Sequence, residues 1–220
     1  NFANAAVSPL SFFKFYAGEG GLRVPLIITG TGIDRQADFQ NAFTHVTDIT
    51  PTILAMAGIE QPQGRFGGRE IEPITGKNLI PLLDGTSEQV YQSDDYIGYE
   101  VAGNLALFSD GYKLILNRGP LGDSEYYLFD IINDPGETKD LKAENPGKFQ
   151  HMLNLYQKYA EENGVLPVPD HYNQDMEIAL KMVQKQIGDE IIIYILVGIT
   201  LVVFALFGWQ RKKFMDKSPK

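Results

Sequence analysis

The chain has 220 residues, a net charge of −9 at pH 7, 44% hydrophobic and 21% charged residues, and no cysteine. The acidic balance argues against a nucleic-acid binder, which presents a basic face to phosphates. Without cysteine there is no disulfide framework, no thiolate nucleophile and no zinc–thiolate site.

In chain order, the first informative stretch is SPLSFFKFYAGEGGLRVPLIITG, Ser8 to Gly30. It sets a single cation, Lys14, in a run of Phe and Tyr. An ammonium flanked by apolar groups is partly stripped of water and holds an oxyanion more strongly than a hydrated one. Gly20 and Gly21 allow a tight turn and close backbone approach. The same residues also fit a lysine that snorkels from a surface strand ahead of an ordinary turn. VPLIITG (Val24–Gly30) is short, apolar and rich in β-branched residues, which predicts a strand buried on both faces.

THVTDITPTILAMAG predicts a helix with Asp48 or Thr50 as its cap, Pro51 in the first turn, an apolar face of Ile53, Leu54 and Ala57, and Gly58 as its end. Gln61–Gly68 reads as a loop and TGKNLIPLLDG as a short helical turn. From Glu88 the chain turns β-rich. YIGYEVAGNLALFSDGYKLILN reads as two apolar runs with a hairpin at Ser109-Asp110-Gly111, and SEYYLFDI as a further strand. NDPGETKDL is turn-rich; it lacks the spacing of an EF-hand loop, so a turn is favoured over calcium binding. PGKFQHMLNLYQKYAEENG places Phe149, Met152, Leu153, Tyr156 and Ala160 on one helical face, with Gly164 as the stop. His151 and His171 are assigned surface or loop positions.

VLPVPDHYN reads as a linker and MEIALKMVQKQIGD as a helix. It leads into IIIYILVGITLVVFALFGW, Ile191 to Trp209, 19 residues without charge. As a helix this segment is roughly 28 Å long at ~1.5 Å per residue, close to the apolar thickness of a bilayer. Tyr194 and Trp209 stand near its ends, and Arg211, Lys212 and Lys213 follow. A single-pass membrane helix is therefore expected, with a basic cytoplasmic tail and an extracytoplasmic globular part, periplasmic or extracellular. Residues 210–220 hold five Lys/Arg and one Asp, a net of +4, which leaves −13 on the remainder.

Five of these blocks, in order between about Ser8 and Gly164, resemble the sulfatase family, with a bacterial arylsulfatase flavour. SPLSFFKFYAGEGGLRVPLIITG is similar to the family's K-x-x-x-x-E-G-G-x-R-x-P segment, and THVTDITPTILAMAG to the helix after it. TGKNLIPLLDG is similar to G-x-S-L-x-P-L-L-x-G. GYKL and YYLFDIINDPGETKDL are similar to the G-x-W-K-L strand and the L-Y-D-L-x-x-D-P-x-E-x-x-x-L strand and turn.

The resemblance implies an α/β, alkaline-phosphatase-like fold, of which this chain carries the C-terminal part of the main sheet and a small antiparallel sheet packed with a helix. Two divisions follow from it: 1–85, the end of the catalytic α/β domain, and 86–165, the antiparallel-sheet subdomain with its closing helix; the residue pattern itself gives 166–190, linker and juxtamembrane helix, 191–209, the membrane helix, and 210–220, the tail. The resemblance implies hydrolysis of sulfate esters with a formylglycine nucleophile and calcium. Lys14 matches the lysine that contacts the substrate sulfate and aids leaving-group departure. Glu19 and Arg23 match as structural supports. His45 matches a recurring position and is assigned a supporting hydrogen bond, with a helix-start or core role as the alternative. YIGYE (Tyr96–Glu100) is expected near the substrate mouth.

The departures are as specific. The C/S-x-P-x-R motif, the Asp-Asp cluster and the D-N-G segment are absent, so the nucleophile and the calcium ligands are expected upstream and no metal ligand is assigned here. Ser11 stands where relatives usually have arginine. The chain is expected to be the later part of something longer. Two other readings stay open: a non-catalytic membrane-tethered module, and a phosphatase or phosphonate hydrolase of the same superfamily.

Overall fold

The computed structural model describes residues 2–30, 33, 39–170 and 172–215; within the last helix the side chains described are those of 174–188, 191, 193–201 and 206. His171 lies outside the described residues. The chain forms two compact units, Asn1–Pro167 and Val168–Lys220.

The first unit is organised by a four-stranded antiparallel meander: β3 (Ile97–Val101), β4 (Asn104–Ser109), β5 (Tyr112–Leu116) and β6 (Tyr126–Asp130), in that spatial order. Two tight turns set its register. Asp110-Gly111 joins β4 to β5 with φ of 52° and 74°, pairing Ser109 with Tyr112. Ala102-Gly103 joins β3 to β4 with φ of 47° and 78°, pairing Val101 with Asn104. Positive φ at both central residues matches the right-handed strand twist. The sequence shows the first turn through Asp-Gly. The second was read as part of one apolar run, because Ala-Gly lacks the Asn or Asp that marks such turns.

Alternation divides the side chains of the sheet between its faces. Leu107, Leu114 and Leu128 pack on Met152 of α5 (Pro146–Asn163). Helix α5 ends as expected at Gly164, φ 62°; its start is set by the Asn145 side chain, which accepts from the Lys148 amide, and by Pro146 in the first turn. Phe149, Leu153 and Tyr156 complete this layer, as the predicted face requires. On the opposite face Ala106, Ile115, Phe129 and Ile131 pack on Ala17.

Leu22 and Phe43 also pack on that second face. The N-terminal part of the unit that supplies them contains α1 (Phe2–Val7), a loop, the single turn α2 (Glu19–Leu22), α3 (Ile49–Met56) and the single turn α4 (Ile80–Leu83). A 3₁₀ turn at Val46–Asp48 leads into α3. Residues buried in α3 are Pro51 and Thr52, whereas Ile53 is 59% exposed and Ala57 is also exposed, so the inward face differs from the one periodicity predicts. A two-stranded hairpin, β1 (Arg65–Phe66) and β2 (Arg69–Glu70), occupies the predicted loop region and turns at Gly67-Gly68. VPLIITG forms no strand; Val24 and Ile27 are 77% and 89% exposed. A strand needs a hydrogen-bonding partner, and none of the described strands pairs with this segment.

Among its described residues the second unit contains the helix α6 (Gln174–Met215), of 42 residues. The Asn173 side chain accepts from the Met176 amide, and Asp175 and Glu177 complement the positive end of the helix dipole. The segment Ile191–Trp209, read as a membrane span, falls inside α6. Among the described residues no helix is long and apolar enough to cross a membrane. The side chains of Trp209, Arg211, Lys212 and Lys213 lie outside those described.

Candidate functional site

Lys14 stands on a loop whose backbone is unusually constrained. Phe12 and Phe15, on either side of the Phe13-Lys14 pair, have φ of 60° and 81°. Bulky residues reach this left-handed region at a cost of about 1–3 kcal/mol each, which the surroundings must offset. The surroundings are explicit. The Gly20 amide donates to the Ser11 carbonyl at 2.8 Å, and the Asn104 side chain donates to the Phe15 carbonyl at 2.6 Å. The Ala17 amide donates to Asn117 Oδ1 at 2.7 Å. Phe12 stacks on buried Tyr16 with centroids 5.3 Å apart, and Phe13 meets the same ring edge-on at 5.5 Å. Gly20 and Gly21 allow α2 to lie directly under the loop, because a Cβ there would stand 2.3 Å from the Phe12 carbonyl oxygen and 2.2 Å from that of Tyr16.

From this loop Lys14 itself projects into solvent, with its ammonium 5.0 Å from the centre of the Phe15 ring. The expectation of a partly desolvated lysine is therefore not met in the described chain. Phe12 and Phe13 turn toward Tyr16 and support the loop, and the half-exposed Phe15 ring faces the ammonium.

The structure brings Glu19 and Arg23 together, and adds two residues that sequence reading had not singled out. Lys113 of β5 is fully buried, and its Nζ donates at 2.8 Å to both Glu19 Oε1 and Glu137 Oε1. Side-chain exposure is 0% for Lys113, 4% for Glu19 and 1% for Glu137. Arg23 Nε pairs with Glu19 Oε2 at 2.8 Å. Glu137 Oε2 accepts from the Glu19 amide at 2.9 Å and from the Ser11 hydroxyl. The Phe108 ring lies 5.1 Å beneath the ammonium. Two cations thus balance two carboxylates, and every carboxylate oxygen of the group has a donor. The sequence signal was a lysine inside YKLIL, a run otherwise apolar. A buried lysine requires an anionic partner. Its partners stand 94 and 24 residues away in the chain, which no local pattern reveals.

His45 belongs to a different hub, centred on Asp48. The Asp48 carboxylate, fully buried, accepts from the His45 amide at 2.7 Å, the Lys77 amide at 2.8 Å and the Tyr91 hydroxyl at 2.6 Å. Asp48 occupies the position before α3 that the sequence proposed for a cap, but its side chain does not cap that helix: it accepts from the His45 amide, closing the preceding 3₁₀ turn, and ties this corner to TGKNL through the Lys77 amide. Thr52 extends the tie: its hydroxyl donates to the Asp48 carbonyl and accepts from the Leu79 amide. Gly76 is required here, since a Cβ would stand 2.1 Å from the Thr47 carbonyl oxygen. The His45 ring contacts Thr47 Oγ1 at 2.9 Å; burial holds its pKa below the ordinary imidazole value, with Asp48 opposing. Burial and the Asp48 carboxylate push the Tyr91 phenol far upward. His45 is thus a helix-start residue in a hydrogen-bonded corner.

The remaining candidates stay apart from these hubs. His151 is exposed on α5. YIGYE overlaps β3, and the Tyr156 hydroxyl donates to Glu100 at 2.8 Å. In NDPGETKDL the Asp134 carboxylate accepts from the Thr138 and Lys139 amides, closing its own turn, while Glu137 faces Lys113. Among the described residues no group of three or more His, Cys, Asp or Glu side chains could hold a metal ion. The described residues therefore do not fit a calcium site.

Residues 11–163 match the family described as N-sulphoglucosamine sulphohydrolase, C-terminal. The chain is 30% identical over 171 residues to an uncharacterized sulfatase of Schizosaccharomyces pombe, covering 77% of this chain and 30% of that protein. It is 25% identical over 157 residues to arylsulfatase K of Xenopus laevis, covering 67% of this chain and 27% of that one. It therefore spans less than a third of the length of these relatives. The solved structure of Ps i-CgsB in complex with k-i-k-neocarrahexaose matches with a TM-score of 0.54 at 22% identity, over 70% of this chain and 32% of that one, a likeness of fold. On the match over residues 11–163, which takes in the Lys14 segment, the meander and α5, the chain belongs to the sulfatase family and carries its C-terminal portion.

Proposed function

We propose that the protein containing this chain hydrolyses sulfate esters and that Lys14 is the residue of this chain that meets the sulfate. The observation that carries this reading is the Lys14 loop: a cation presented to solvent from a strained, multiply pinned backbone. Such a loop costs free energy to hold, and strained segments of this kind gather at functional sites. An ammonium offers three donors. It would bind sulfate oxygens and stabilise the charge that develops on the departing ester oxygen. Glu19 and Arg23 support the loop from below, and His45 keeps the start of α3 in place.

A formylglycine nucleophile and calcium belong to the same proposal and would come from residues outside this chain, which has no cysteine and no metal-ligand cluster among its described residues. The exposed apolar segment Val24–Gly30 suits a strand completed by such residues. We further propose that the run Ile191–Trp209 anchors the protein as a single-pass helix, with the catalytic part extracytoplasmic and the basic tail cytoplasmic. Release of the protein from membranes by alkaline carbonate would refute the anchor.

The test of Lys14 is Lys14→Ala in the full-length protein, assayed on an aryl sulfate and on the matching aryl phosphate. Loss of a positioned donor to developing charge lowers kcat by roughly 10²–10³. Unchanged sulfate-ester turnover would refute the role. Turnover of the phosphate in preference to the sulfate would move the protein to the phosphatases of its superfamily.

A further inference from the structure

We infer that Lys113 and Glu137 are positioning residues for Lys14, so that the antiparallel sheet sets the geometry of the sulfate-binding cation. The inference rests on the reading of Lys14 given above. Lys113 and Glu137 do not touch Lys14. They act through the backbone on either side of it.

The route is short and continuous. Glu137 receives the Ser11 hydroxyl, three residues before Lys14, and the Glu19 amide, five residues after it. Lys113 holds the carboxylates of Glu19 and Glu137 together at 2.8 Å each. The loop between Ser11 and Glu19 is therefore closed across one carboxylate, whose position is fixed by an ammonium rooted near the start of β5. Asn104, at the start of β4, and Asn117, just after β5, hold the Phe15 carbonyl and the Ala17 amide from the same sheet. Four residues of the sheet region thus grip the loop by directional bonds.

Apolar packing does not replace such a device. Apolar residues of similar volume can equal or exceed a buried ion pair in stability. They do not prescribe where a carbonyl or an amide must lie, whereas an ammonium between two carboxylates does. The loop needs that prescription, because Phe12 and Phe15 hold backbone angles it would leave if released.

The experiment is a double-mutant cycle between Lys113→Met and Lys14→Ala in the full-length protein, with kcat/KM for an aryl sulfate as the readout and circular dichroism to show that each variant is folded. Acting through Lys14, Lys113→Met lowers kcat/KM by about tenfold or more when Lys14 is present and by less than about twofold when it is alanine. An equal loss in both backgrounds means that Lys113 serves the fold alone, and overturns the inference while leaving Lys14 its role. Lys14→Ala without effect removes both. Where Lys113→Met does not fold, Ser11→Ala takes its place in the cycle, since it deletes one hydroxyl and leaves the ion group intact. A loss of about threefold that vanishes in Lys14→Ala supports the inference, and an additive or absent effect overturns it.

Discussion

Replacing Lys113 by methionine tests the energetics of the buried ion group directly. The volume is nearly kept, so little cavity forms, and the change is almost purely one of charge. Glu19 retains Arg23 at 2.8 Å, but Glu137, with a side chain 1% exposed, loses its only described cation. It keeps the Ser11 hydroxyl and the Glu19 amide as donors. Removing one partner from a buried pair typically costs about 3–5 kcal/mol, because the charge left behind is neither solvated nor matched. Unfolding of a protein with several domains need not proceed in one step, so local opening is the better observable. Hydrogen exchange of β4 and β5 amides in the full-length protein, read by mass spectrometry, should speed up by roughly two to nearly four decades, at ~1.4 kcal/mol per decade. Lys113→Met with Glu137→Gln removes both charges and should recover more than half of that loss. Acceleration below about threefold in the single variant, or no recovery in the double, would show that the group is not electrostatically tight and refute the reasoning.

Two further expectations concern the Asp48 hub. Gly76→Ala places a Cβ 2.1 Å from a backbone carbonyl oxygen that cannot yield as a side chain would, so a loss of about 1–3 kcal/mol is expected, seen as faster exchange in α3 and the 75–80 segment; an unchanged exchange rate there would disprove the close approach. His45 has its folded-state pKa lowered by burial. Its stabilising effect is therefore present above the unfolded imidazole value of about 6.5 and is lost as pH falls through the lower folded value. Melting temperatures followed from pH 7.5 to 5 should fall less for His45→Gln than for the parent, and parallel curves would exclude His45 as a contributor.

What the sequence disclosed follows the range of the interactions. Helix α5 was legible because its periodicity and glycine stop are both local. The β4–β5 turn was legible because Asp-Gly states its own backbone angles. The family was legible because its blocks keep their order. The Ala102-Gly103 turn was hidden because alanine at positive φ is imposed by strand pairing and is not preferred locally. Val24–Gly30 was read as a strand from composition, but strand formation depends on a partner chain segment, which composition does not supply. Among the candidate site residues, Lys14, Glu19 and Arg23 were singled out through the motif. Lys113 and Glu137 were overlooked although both lie inside quoted blocks, because an ion pair spanning 94 residues is set by topology.

These contrasts divide the first unit into two kinds of cohesion. The meander and α5 are joined by apolar contact, with Leu107, Leu114, Leu128 and Met152 all fully buried. The segments carrying Lys14 and His45 add to their apolar anchors, Ala17, Leu22 and Phe43, directional ties through two buried carboxylate hubs, at Glu19–Glu137 and at Asp48. The two should respond separately to mutation. Met152→Ala removes the side chain at the centre of the α5–sheet layer, and a buried methionine truncated to alanine costs about 2–5 kcal/mol. Its effect should appear as faster exchange throughout α5 and the α5-facing side of β4–β6, with the Lys14 loop slowed or hastened far less than by Lys113→Met. Lys113→Met should show the reverse ranking, with the loop at 11–19 more affected than α5. Equal patterns from the two variants would mean that the sheet, the helix and the loop open as one cooperative block, and that the polar hubs do not act as a separate level of organisation.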